Sequence, residues 1–105
     1  IGAAELALMK PTATLVNIAR GGIVDDAALA RALSEGRLGA AGLDVYENEP
    51  DLDPALLEAP RIVLTPHIGS ATHSSRLGMA MLAADNLVAF AENRPLPAPV
   101  PTSAG

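Results

Sequence analysis

Three short, largely apolar runs, residues 15–18, 41–45 and 62–64, each lead into a segment bearing polar, charged or glycine residues, and helix-patterned stretches separate them. That alternation limits the chain more than any other feature. Strand, helix, strand, short helix, strand, helix is the order of a parallel sheet with crossovers, and continuous apolar strands predict a sheet covered on both faces. In such sheets ligands gather at the carboxyl ends of the strands. The polar residues crowd toward those ends here: Arg20 after the first run, Asp44 at the end of the second with Glu49 beyond it, and His67 after the third.

Between the runs the punctuation is local. Pro11 disfavours helical geometry in the residue before it and so closes a first helix over 5–10. Gly21 and Gly22 make a turn, Asp25 or Asp26 caps a new helix, Leu29, Ala32 and Leu33 share one face of it, and Gly36 ends it. The acidic, proline-bearing stretch 47–54 is a loop leading to a short helical turn over 55–57. A last helix runs from Ala71 or Thr72 to Glu92 and is apolar on most sides, which predicts burial against more than one surface; three strands cannot supply it all, so further sequence, a second subunit, or both are expected to cover it. Prolines at 95, 97, 99 and 101 predict an extended tail. The expected organisation is a folded part over 1–92 and a proline-rich tail over 93–105.

Composition narrows the classes. A chain of 105 residues suits one small domain, and with one Phe, one Tyr and no Trp its core has to be built from Ala, Leu, Val and Ile. The net charge of −5 leaves no basic stripe to neutralise phosphates, so nucleic acid is set aside as a partner. The absence of cysteine leaves no disulfide framework or thiolate metal site. There is neither a signal peptide nor an apolar run of about 20 residues, and the expectation is a soluble cytoplasmic chain with no membrane role. The opening residues Ile1 to Leu6 look like the middle of a helix with no cap before them, so the sequence is expected to be a segment of something longer.

Taken singly, each candidate residue has an ordinary structural reading beside the chemical one. Arg20 sits before two glycines, where a guanidinium fork suits a carboxylate, yet a lone arginine also pairs with any nearby acid. His67 carries an imidazole, the side chain suited to proton exchange, and follows a stiff proline, yet it could equally be a hydrogen-bonded structural histidine. Glu49 is either solvated surface or the partner that steadies a charged His67. Asp44 interrupts a buried strand, where a charge needs a partner, and capping a neighbouring loop would supply one. His73 is expected at the surface, and two histidines six apart make a metal site unexpected.

Together, three segments resemble one family. Asn17, Ile18, Ala19, Arg20, Gly21, Gly22, with Asp25, Ala28 and Leu29 after them, are similar to the arginine signature of the D-isomer-specific 2-hydroxyacid dehydrogenases. Gly42, Leu43, Asp44, Val45 followed by Glu49 and Pro50 resemble its acid signature, and Thr65, Pro66, His67, Ile68, Gly69, Ser70 its histidine signature. The resemblance runs from about Glu5 to Pro97. Residues beyond the histidine, among them Arg76, Met79 and Asn86, are most similar to glyoxylate and hydroxypyruvate reductases.

The resemblance implies a fold and a chemistry. The fold would be α/β, the C-terminal part of a doubly wound, Rossmann-type parallel sheet that binds a dinucleotide, plus a long terminal helix. Arg20 would hold the carboxylate of a small 2-oxo acid, His67 would donate a proton to its carbonyl oxygen, and Glu49 would keep His67 charged and aimed. Asp44 would hold the nicotinamide end of NAD or NADP, Ile18 and Gly69 would meet the cofactor through backbone atoms, and Ser70 would lie beside the substrate. A homodimer would be the assembly. No Gly-x-Gly-x-x-Gly fingerprint occurs in the 105 residues, so they are expected to be inactive alone. Two other classes compete: a cofactor-sensing, corepressor-like binding module, and a packing or dimerisation segment favoured by the apolar last helix. A hydrolase is disfavoured because no Gly-x-Ser-x-Gly elbow is present.

Overall fold

A computed structural model describes residues 1–101; residues 102–105 of the expected tail lie outside that range. The chain forms two compact units, the first Ile1–Gly69 and the second beginning at Ser70. The first contains α1 (Ala3–Ala7), β1 (Thr14–Asn17), α2 (Asp26–Ser34), β2 (Ala40–Leu43), α3 (Pro54–Leu57) and β3 (Ile62–Leu64); the second contains α4 (His73–Ala91).

The three strands pair in parallel in the order β1-β2-β3, with Thr14 opposite Ala40 and Ala41 opposite Ile62. Alternation along each strand sends Leu15, Ala41 and Leu43 to one face, where they meet Leu29 and Leu33 of α2, Leu6 of α1 and Leu56 of α3. Leu6, Leu29, Leu33, Leu38 and Leu56 are fully buried, each contributing about 1.5 to 3 kcal/mol of apolar burial. α2 packs against α1 and α3, with Ala28, Ala30 and Ala32 buried beside Leu29 and Leu33.

The ends of α2 show why it begins and stops where it does. The Asp25 carboxylate accepts from the Ala28 N–H at 2.8 Å, filling the cap position, and Asp26 is left free for another partner. At the other end Gly36 adopts φ +67, and the N–H groups of Gly36 and Arg37 donate back to the carbonyls of Leu33 and Ala32, the paired closure that a left-handed glycine permits. Arg61, itself at φ +56, donates to the carbonyls of Leu33 and Gly39 at 2.8 Å and so ties the start of β3 to the end of α2.

Within this chain α2 and α3 cover one face of the sheet. Val16 and Val63, on the opposite face from Leu15 and Leu43, are each 66% exposed. The reason is topological. Successive parallel strands added in one direction by crossovers of one hand place α2 and α3 on the same side. In α4 only Ala89 is buried among the described residues, and Leu77, Leu87 and Phe90 are exposed, the surplus apolar surface that three strands were not expected to cover. Thr72 caps α4, its hydroxyl accepting from the Ser75 N–H at 3.1 Å, and His73 is exposed as expected.

Candidate functional site

Because the sheet is parallel, β1, β2 and β3 all end at the same edge, and the loops that follow them meet there. Each loop is held in a different way. After β1, Asn17 occupies an inward position of the strand and is buried. A polar side chain so placed has to find partners, and it does so by templating the turn: its amide donates to the Arg20 carbonyl at 3.1 Å and its oxygen accepts from the Ala19 N–H at 3.1 Å. Gly22 completes the turn at φ +78.

After β2 the chain runs through Asp44 and Tyr46 into the acidic loop. Asp44 is only 5% exposed, and its carboxylate reaches across to the loop after β3. It accepts from the Thr65 hydroxyl at 2.5 Å, the Ile68 N–H at 2.9 Å and the Gly69 N–H at 2.7 Å. The Thr65 hydroxyl chiefly, then the Ile68 N–H, hold this carboxyl below its ordinary range. The acidic loop is fixed from behind by Asp26, whose buried carboxylate accepts from the Glu47 N–H at 2.9 Å.

After β3, Pro66 makes a tight turn in which the His67 N–H returns to the Thr65 carbonyl at 3.0 Å. His67 itself takes φ +54, an unusual backbone for a residue with a side chain. Gly69 has no Cβ for a reason visible in the packing, since one would lie 3.0 Å from the Asp44 carboxylate.

These loops bring together Arg20, Glu49 and His67. His67 Nδ1 lies 2.8 Å from Glu49 Oε2, and His67 Nε2 lies 3.4 Å from an Arg20 guanidinium nitrogen. The other Glu49 oxygen accepts from the Tyr46 N–H at 3.0 Å. The hydrogen bond with His67 first, then the Tyr46 N–H, lower the Glu49 carboxyl from its ordinary value. A guanidinium only donates, so an Nε2 facing Arg20 acts as acceptor while Nδ1–H points to Glu49. Putting a proton on Nε2 therefore requires the Arg20 donors to turn toward something else, and an anion in the site would serve. A pocket of about 240 Å³ adjoins the pair, walled by Pro50, Leu52 and Pro66 with Tyr46.

The structure thus gathers Arg20, Glu49, His67, Asp44 and Gly69 at one sheet edge, with Ile18 just past the end of β1 and its side chain exposed. Ser70 begins the second unit. For Asp44 the loop-capping alternative is the contact observed. Two residues that hold these loops were not foreseen: Asn17 could have been found as a polar residue in an inward register, and Asp26 as the spare acid once Asp25 caps the helix.

Comparison with known proteins points one way. Residues 1–69 match the family described as D-isomer specific 2-hydroxyacid dehydrogenase, NAD binding domain. The chain is 55% identical over 92 residues to a glyoxylate reductase of Thermococcus litoralis, covering 88% of this chain and 28% of that protein. It is 54% identical over 90 residues to a glyoxylate/hydroxypyruvate reductase B of Pectobacterium atrosepticum, covering 85% and 28%. Among solved structures it resembles a glyoxylate reductase from Paecilomyes thermophila, with TM-score 0.91 and 46% identity over 96% of this chain and 31% of that one. An NADPH-dependent glyoxylate/hydroxypyruvate reductase from Sinorhizobium meliloti, in complex with NADP and malonate, gives TM-score 0.90 and 42% identity over 95% and 31%. The chain spans somewhat under a third of the length of these relatives.

Proposed function

Because this chain belongs to the D-isomer specific 2-hydroxyacid dehydrogenase family, we propose that the protein carrying it reduces a small 2-oxo acid of the glyoxylate or hydroxypyruvate type to the D-2-hydroxy acid with NADH or NADPH. The observation that carries this reading is the contiguous Arg20, His67, Glu49 array at the carboxyl edge of a parallel sheet. The curated relatives named as glyoxylate and hydroxypyruvate reductases support the substrate class.

Arg20 turns its donors from His67 to the substrate carboxylate and orients the adjacent carbonyl. That frees Nε2 of His67 to carry a proton, which it gives to the carbonyl oxygen as negative charge develops there. Glu49, pinned by the Tyr46 N–H, faces Nδ1 and stabilises the charged imidazole before the transfer. The residues at hand fit the nicotinamide end of a dinucleotide: Ile18 offers an exposed apolar side chain past β1, and Gly69 leaves space where a Cβ would crowd Asp44. Ile18, Asp44 and Gly69 would hold that end, and Ser70 would lie beside the substrate. The bound nicotinamide supplies the hydride.

The test is turnover of glyoxylate and hydroxypyruvate by the protein carrying this sequence, with each nicotinamide. No oxidation of either cofactor above blank overturns the proposal. The 105 residues alone are expected to be inactive, since no Gly-x-Gly-x-x-Gly pyrophosphate grip occurs in them. A homodimer is the expected assembly, supported by the exposed apolar side chains of α4, and light scattering of the purified protein checks it.

A further inference from the structure

Tyr46 touches all three loops of the site. Its carbonyl lies so near Gly21 that a Cβ there would come within 1.8 Å of it. Its N–H donates to Glu49. Its hydroxyl lies 2.6 Å from the Thr65 carbonyl oxygen and 3.2 Å from that of Leu43, with the ring buried. A phenol has one proton to give, and the shorter contact assigns it to Thr65.

The Thr65 carbonyl is also the acceptor of the His67 N–H. Both of its lone pairs are therefore used, one by the turn that carries His67 and one by Tyr46. That turn holds His67 in the left-handed region, and such a backbone persists only where the surroundings over-determine it. Burial, and then the charges of Asp44, Glu49 and Asp26, keep the hydroxyl protonated and able to donate across the neutral range.

We infer that Tyr46 is a positioning residue: its hydroxyl, by fixing the Thr65 carbonyl, sets the turn that aims His67 between Glu49 and Arg20. The inference rests on the proposed reduction, and it assigns to Tyr46 no contact with substrate or cofactor. The charged groups around the turn are Arg20 from the loop after β1, Asp26 from α2, Asp44 and Glu49 from the segment after β2, and His67 itself.

Tyr46→Phe removes one oxygen and leaves the ring in place. In the protein carrying this sequence, the variant is compared with wild type for glyoxylate kcat and KM, for the pH profile of kcat, for thermal unfolding, and for amide exchange over residues 65–69. The expected result is a five- to tenfold lower kcat, an unchanged KM for the nicotinamide, an acid limb moved upward as Glu49 loosens from His67, and faster exchange at the His67 N–H. Tyr46→Leu, which also loses the ring, is expected to lower the unfolding temperature further. An unchanged kcat and pH profile in an active Tyr46→Phe enzyme overturns the inference and leaves the reductase reading standing, as does unchanged exchange at His67. A wild type inactive on both substrates overturns the reductase reading, and with it a catalytic consequence for Tyr46; the exchange data then show only whether the hydroxyl holds the turn.

Discussion

Gly21→Ala is the sharpest single test of how the site is assembled. The backbone after β1 passes so close to Tyr46 that a methyl group at position 21 would sit 1.8 Å from the Tyr46 oxygen and 2.4 Å from its carbonyl carbon. Neither atom can swing aside, because both are backbone and the following Glu47 N–H is held by Asp26. Restoring a tolerable 3.0 Å contact needs the two loops to part by about 1.2 Å. That displaces Arg20 relative to Glu49 and His67, and a misplacement of about 1 Å in a reacting constellation costs on the order of 100-fold in rate, about 2.7 kcal/mol. Gly22→Ala is the control next door. At φ +78 with open space around it, that glycine would give strain of roughly 1 kcal/mol but no collision. The expected pattern is a loss of about 100-fold in kcat/KM for glyoxylate with Gly21→Ala, against a lower unfolding midpoint and near-native kcat/KM with Gly22→Ala. Steady-state kinetics at a temperature where all three proteins are folded reads the difference. A Gly21→Ala enzyme within threefold of wild type would refute the reasoning.

Asp44→Asn presents an amide where three donors need acceptors, so lower thermal stability and lower activity are expected together. The folded value of Asp44 is depressed, so its charged form stabilises the fold above the ordinary carboxylate range and that contribution is lost as pH falls below about 4. Unfolding temperatures followed from pH 7 to pH 3 should fall less steeply for the variant, and parallel curves would contradict the assignment. Glu49→Gln keeps the acceptor for Tyr46 but removes the charge facing His67, and kcat should drop by roughly 100-fold while carboxylate binding is retained. A 2-oxo acid analogue such as oxamate should take up protons on binding, because it draws Arg20 away from Nε2; calorimetry in two buffers of different ionisation enthalpy measures this, and no uptake would argue against the resting contact. Arg61→Ala should lower stability by about 1 kcal/mol through the lost contacts to Leu33 and Gly39, with kcat unaffected.

Much of this was legible from residue pattern alone. The third strand falls over Ile62–Leu64 as the apolar run indicates, and the Asp25 cap and the Gly36 stop of α2 follow from local chemistry that needs no distant partner. The first two strands end earlier than their apolar runs, at Asn17 and Leu43, because the side chains of Asn17 and Asp44 bend the chain into loops. The Arg20, Glu49, His67 set was legible because three signatures converged, whereas no one of them separates a catalytic residue from a paired surface charge. What local pattern could not show was contact between loops far apart in sequence. The bond from Tyr46 to Thr65 spans 19 residues and that from Asp26 to Glu47 spans 21, and neither pairing is written in the local pattern around its two ends. Apolar runs likewise report that a strand can be covered and not which side its crossovers take, so the side on which α2 and α3 lie, away from Val16 and Val63, was not legible.

The three side chains that wire the loops together all take backbone N–H groups as partners: Asn17 takes Ala19, Asp26 takes Glu47, and Asp44 takes Ile68 and Gly69. An N–H is supplied by every residue except proline. Sequence drift at Ala19, Glu47 and Ile68 can therefore proceed without rewiring the site, while a single change at Asn17, Asp26 or Asp44 unfastens one loop from the turn or loop it fixes. A saturation scan should set Ala19, Glu47 and Ile68, which tolerate any residue but proline, apart from Asn17, Asp26 and Asp44, which tolerate few; Gly69 falls with the second group because a Cβ there would crowd the Asp44 carboxylate.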